Sequence, residues 1–193
     1  MDRITALLAA AATLLLATVG GAAADAPKPA PGKAATVMQI TSPASPHQGE
    51  IPRKHTCEDR DVSPALAWSG LPDGTKSLAL IVDDPDAPDP KAPKMTWVHW
   101  ILYNLPPDST GLPEAVAEKA LPAGTLGGTS DYRRSTWGGP CPPIGRHRYF
   151  FKLYALDLVL PDLQKPNKAK LLAALEGHIL ARAELVGTYQ KQK

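Results

Sequence analysis

Apolar residues recur along this chain in short, nearly unbroken runs separated by loops rich in proline and glycine. Residues 76–83 (KSLALIVD) form one such run and predict a central strand. Residues 97–105 (WVHWILYNL) predict another. Residues 147–156, dense in aromatic and apolar side chains, predict a further buried strand. Residues 37–41 and 64–68 (PALAW) read as shorter strands, and residues 184–189 (ELVGTY) as a short final one. Pro43, Pro46, Gly49 and Pro52 break any element between the first two. One stretch has helical spacing: over residues 167–182, Leu171, Leu172, Leu175, Ile179 and Leu180 fall on one face, with Asn167 placed as N-cap. It predicts a helix packed flat on a sheet. Strands at this spacing, without long helices between them, indicate an antiparallel, mainly β domain.

The N-terminal residues follow a different pattern. Arg3, an apolar run over residues 4–19 and the small residues Ala22, Ala23 and Ala24 predict a cleaved secretory signal over residues 1–24. Residues 25–36 (DAPKPAPGKAAT) have no apolar pattern and predict a disordered or extended linker. A single folded domain is then expected over residues 37–193. The mature chain should be exported, with no membrane span, and in a Gram-negative cell it would be periplasmic.

Composition adds two constraints. The 21 prolines are about twice the usual frequency and argue against a helical bundle. With 21 Lys and Arg against 19 Asp and Glu, charge gives no case for a nucleic-acid partner. Cys57 and Cys141 are the only cysteines, and an exported chain with an even count favours a disulfide between them. The rival reading is Cys141 as a nucleophile with His147 as its base. Against it, Cys141 lies between prolines and not at a helix N-terminus that would lower its pKa.

Two stretches share one design. DDPDAP (residues 83–88) is a proline-stiffened acidic turn followed by His99 on a strand. GGPCPPIG (residues 138–145) is a Gly/Pro loop that leads into His147, Arg148 and Tyr149 at the start of a strand. If Asp84, Asp86, His99 and His147 converge, two chemistries are open. In one, the carboxylates fix the histidines, and the remaining ring nitrogens, the Gly138–Gly139 backbone N–H groups and the Tyr149 hydroxyl face an anion. In the other, two histidines and a carboxylate bind a metal or run acid–base hydrolysis. No G-x-S-x-G or H-E-x-x-H motif supports the second. His47, His55 and His178 read as surface or packing residues. Arg148 reads as a structural ion-pair partner of Asp84 or Asp131.

DPDAP, a histidine on the next strand and then GGPCPPxGxHRY together resemble the double signature of the phosphatidylethanolamine-binding proteins. VSPALAWSGLP and GGPCPP resemble the bacterial Raf-kinase-inhibitor-like branch. The resemblance covers residues 38–189. It implies a β-sandwich with a few short peripheral helices, no cofactor and no catalysis. It also implies a small anion pocket for phosphate, sulfate, acetate or a phosphoethanolamine head group. Carried over by position, the pocket residues are Asp84, Asp86, Pro88, His99, Gly139, His147 and Tyr149, with Cys141 on the loop where the family often has Pro. Some relatives inhibit kinases or serine proteases, so a protein target is a further expectation. Two departures stand out. Val98 replaces a histidine common in eukaryotic members, and Ser130-Asp131-Tyr132-Arg133 replaces Asn-Asp-Phe-Gly of bacterial ones. Arg133 and Arg134 are expected to place positive charge at the pocket rim.

Overall fold

The structure is a computed structural model that describes residues 37–192. The expected signal segment and linker lie outside the described residues. Two antiparallel sheets face each other. The larger has five strands in the order β6-β4-β3-β7-β8, and the smaller has the order β1-β2-β5. The large sheet is built from β3 (Ser77–Asp84), β4 (Trp97–Leu105), β6 (Leu126–Gly127), β7 (Arg146–Leu156) and β8 (Ile179–Gln190). The small one comprises β1 (Gln39–Thr41), β2 (Leu66–Ser69) and β5 (Gly111–Leu112). One α-helix, α1 (Lys168–Leu175), and two short 3₁₀ turns complete the described residues. No helix among them is long and apolar enough to cross a membrane.

The central strands β3 and β4 are buried along almost their whole length because the large sheet is covered on both faces. Leu78, Leu80 and Val82 of β3 meet Ile40, Leu66 and Trp68 of the small sheet in one core. Ala79 and Ile81 point the other way, into a second core with Leu171 and Leu175 of α1. The same alternation separates the two acidic residues that end β3. Asp83 lies on the helix side, where it is fully buried and paired with Lys152 at 2.8 Å and Lys168 at 2.6 Å. Lys168 is the first residue of α1, so this ion-paired cluster pins the helix to the sheet. Asp84 lies on the opposite face.

The expected helix over residues 167–182 is corrected. Asn167 does cap it, accepting from the Lys170 backbone N–H at 2.9 Å, but α1 stops at Leu175. Gly177, at φ +80°, turns the chain where a side chain would be strained. Ile179 then starts β8, which pairs with β7 along its length. Leu180, expected on the buried helix face, is 42% exposed. The short final strand expected over residues 184–189 is therefore the second half of a twelve-residue one.

Candidate binding site

Three strands deliver polar side chains to one end of the sandwich. On β7, His147 shares a face with Tyr149, Phe151 and Leu153 by simple alternation, and the last three are core residues on the small-sheet side. Asp84 closes β3 on that same side. His99 arrives by an irregularity. Val82 pairs with Trp100 and Asp83 with Val98, so His99 is an extra residue in β4. Such a bulge re-aims side chains. Strict alternation would have put His99 on the helix side with Ile101 and Tyr103. Instead Val98 joins the helix-side core and His99 lines a cavity with Asp84 and His147.

The cavity holds about 370 Å³. Asp84, His99 and His147 supply its polar wall, and Ala87, Pro88, Trp97, Tyr132, Pro142 and Pro143 most of the rest. Met95 and Cys141 also line it. Met95 and the neighbouring Ile144 are large apolar side chains left 48% and 55% exposed.

The polar wall is tightly bonded. Asp84 Oδ1 accepts from the Asp86 backbone N–H at 2.8 Å, and Oδ2 accepts from His147 Nδ1 at 2.6 Å. His147 Nε2 lies 2.9 Å from the Ile144 carbonyl oxygen. Both ring nitrogens thus face acceptors, and each bond is made only by an N–H. His99 Nδ1 sits 2.6 Å from the Gly138 carbonyl oxygen, and Nε2 is buried with no partner. His99 is only 2% exposed. Burial pushes its imidazole below the ordinary value, against the raising effect of the Gly138 bond.

Four of the expected pocket residues, Asp84, Pro88, His99 and His147, meet at the cavity, and Cys141 joins them. Asp86, Gly139 and Tyr149 stand behind it. Asp86 accepts from the Arg148 backbone N–H and Nε, both at 2.9 Å, and from Nη2 at 2.6 Å. These bonds hold its carboxyl below the usual range. Arg148 is therefore the partner of Asp86, not of Asp84 or Asp131 as expected. The Gly139 N–H donates to Asp61 Oδ1 at 2.6 Å, so it is not free for a ligand. A Cβ at Gly139 would lie 2.3 Å from the His55 carbonyl oxygen, which explains the glycine. Tyr149 packs edge-on against His99, with ring centroids 5.2 Å apart. Its hydroxyl is buried without a partner, and burial pushes its pKa up.

The arginine rim is also corrected. Neither Arg133 nor Arg134 lines the cavity. Arg134 donates to Asp61 at 2.9 Å and covers the Tyr132 ring. Sequence reasoning missed Tyr132, whose ring lies edge-on to both Trp97 and His99 at 5.5 Å. Its hydroxyl donates to the Gly139 carbonyl at 3.0 Å. Cys57 and Cys141 form a disulfide, so Cys141 carries no free thiol. Among the described residues no three His, Cys, Asp or Glu side chains are grouped to hold a metal ion.

His55, read as surface or packing, is fully buried. It bonds the Val62 carbonyl oxygen at 2.8 Å, and burial lowers its pKa. His55 and His99 thus share one sign. A histidine with a lowered folded value contributes stability that is fully present above the unfolded value of 6.5 and is lost as pH falls below it. Denaturant midpoints are expected to drop on acidification below 6.5, and His99→Gln to reduce that slope. An unchanged slope in the variant would contradict a buried neutral His99.

The chain is similar to known proteins over nearly all its described length. Residues 41–190 match the sequence profile of the family described as phosphatidylethanolamine-binding protein. A UPF0098 protein of Methanothermobacter thermautotrophicus is 46% identical over 155 residues, covering 80% of this chain and 99% of the relative. One from Chlamydia muridarum is 45% identical over 154 residues, with the same coverage. The crystal structure of a phosphatidylethanolamine-binding protein homologue from Chlamydia trachomatis superposes with a TM-score of 0.74 at 41% identity, covering 81% of this chain and 99% of that one. That of Escherichia coli YbcL, described as a member of the mammalian family, gives 0.72 at 33% identity, covering 80% and 99%. The profile match, these relatives and the shared fold lead to one conclusion: this chain belongs to the phosphatidylethanolamine-binding protein family.

Proposed function

We propose that this is an exported, non-catalytic binding protein whose Asp84–His99–His147 cavity takes a small anion such as phosphate or a phosphoethanolamine-like head group. The observation that carries the reading is the buried Nε2 of His99, left without a hydrogen-bond partner on a ring that lines the cavity. A polar atom left unsatisfied there costs free energy until a ligand meets it. The walls of Pro88, Trp97 and the Pro142–Pro143 pair exclude water around that contact. Family kinship supports the head-group class, and it also supports regulation of a second protein such as a kinase or a protease. The signal pattern over residues 1–24 and the disulfide support export.

The test is an NMR titration of the histidine rings in metal-stripped protein with phosphoethanolamine, inorganic phosphate and zinc in turn. The His99 and His147 signals are expected to move together with either anion, and zinc to leave them in place. Zinc binding tightly at both rings, with no response to either anion, would overturn the reading.

A further inference from the structure

Resting on the anion-pocket reading above, we infer that an acid ligand enters this cavity together with one proton, held between the ligand and His99 Nε2.

The hydrogen-bond pattern requires it. A carbonyl oxygen only accepts, so the contact between His99 Nδ1 and the Gly138 carbonyl at 2.6 Å places a hydrogen on Nδ1. In the neutral ring Nε2 is then a bare lone pair. Burial favours that neutral ring. An anion entering the cavity would meet a lone pair with another lone pair, which is repulsive.

No other group supplies the missing positive charge. Among the described residues no Lys or Arg lines the cavity. His147 spends both ring nitrogens on Asp84 and the Ile144 carbonyl. Whatever charge its ring carries is met by the Asp84 carboxylate that it bonds. The other charged or titratable groups around His99 are committed too. Asp83 of β3 lies on the other face of the sheet, the helix side, and is held there by Lys152 and Lys168. From the loop before β2, Asp61 is held by Arg134 and the Gly139 N–H. Tyr132, from the loop before β7, donates to the Gly139 carbonyl. Tyr149 of β7 is a neutral phenol. An ionised ligand alone would therefore be an unpaired charge in an apolar site, a costly state that buried groups escape by taking up a proton.

A proton resolves both problems at once. On Nε2 it turns the acceptor into a donor and the ring into a counter-charge. On the ligand it lets a P–OH or a carboxylic acid donate to Nε2. The proton count is the same in either description. The site thus selects oxyacids that bring or recruit a proton. It disfavours quaternary ammonium groups, which have no hydrogen to donate.

Sulfate is the decisive probe, because it is fully ionised near neutral pH and its proton must come from solvent. Calorimetric titration in buffers of different ionisation enthalpy is expected to show one proton taken up per sulfate bound. The affinity should fall by about tenfold per pH unit wherever the free His99 ring is neutral, a range that burial extends below about pH 6.5. The nitrogen-15 signal of His99 Nε2 should move from an unprotonated to a protonated position on adding sulfate. His99→Gln should remove the pH slope; should that variant fail to fold, the nitrogen-15 shift in the unaltered protein decides alone. Sulfate bound with a flat pH profile and no proton uptake would overturn the proton coupling and leave the anion pocket standing. No binding of sulfate or inorganic phosphate between about pH 5.5 and 8 would overturn both.

Discussion

Replacing Cys57 and Cys141 together by alanine is expected to lower the free energy of unfolding by about 4 kcal/mol. The two residues are 84 positions apart. Cross-linking over so long a loop removes much of the freedom of the unfolded chain, and in the chain-entropy account that restriction is the main source of the stabilisation. The folded state needs the bond less. The same two loops are already joined by hydrogen bonds, from Cys57 N to the Pro140 carbonyl at 3.1 Å and from Gly139 N to Asp61 at 2.6 Å. Trp137 Nε1 adds a third, to the His55 carbonyl at 3.2 Å. The variant should therefore keep the cavity while becoming easier to unfold. Urea titrations of the double variant, and of the unaltered protein with and without reductant, measure the difference. Agreement between the reduced protein and the variant is expected. A loss below about 1 kcal/mol in both would mean that the cross-link restricts the unfolded chain little, and the chain-entropy account would fail for this bond.

Much of the sheet was legible because its central strands are buried on both faces. The expected run over residues 97–105 coincides with β4, and that over residues 76–83 is shifted by one from β3 (Ser77–Asp84). A strand buried on both faces leaves a mostly apolar run that turn residues delimit clearly. Two-residue strands such as β5 and β6 carry no period, and they passed unseen. The helix was over-extended for a different reason. Ile179 and Leu180 fit a 3.6-residue period, yet Ile179, Ala181, Ala183 and Leu185 also alternate with Leu180, Arg182 and Glu184. Pairing with β7 decides for the strand, and Gly177 marks where the helix must end.

The site was legible as residue types and less so as directions. The family resemblance carried by DPDAP, His99 and the Gly/Pro loop brought out Asp84 and His147, whose faces follow from alternation. His99 reaches the cavity only through the bulge opposite Val82 and Asp83, and no local pattern in WVHW announces it. The partners of Arg148 and Gly139 lie 62 and 78 residues away. Which of several aspartates each one meets is a matter of register and loop path. Tyr132 was invisible as a wall because a lone tyrosine in a polar loop reads as solvent-facing.

The Asp84→Ala variant is expected to lose about 3–5 kcal/mol of stability, as when one partner of a buried ion pair is removed. Asp84 is buried and serves two donors at once, the Asp86 backbone N–H and His147 Nδ1. Alanine leaves both donors buried without an acceptor, and His147, also fully buried, has no other carboxylate bonded to it. Asp84→Asn keeps a carbonyl oxygen for one donor and should cost less, about 1–2 kcal/mol. The informative comparison is with Asp84→Ala/His147→Leu. If the cost comes from a stranded polar ring and not from lost packing, removing the ring should restore part of the loss, because replacing both partners of a buried pair is cheaper than removing one. Urea denaturation of the three variants gives the cycle. A double variant less stable than Asp84→Ala alone would show that the pair is chiefly packing. In that event the pair would no longer stand as a bonded unit, and the bonds that commit both His147 nitrogens away from the cavity would lose their energetic support.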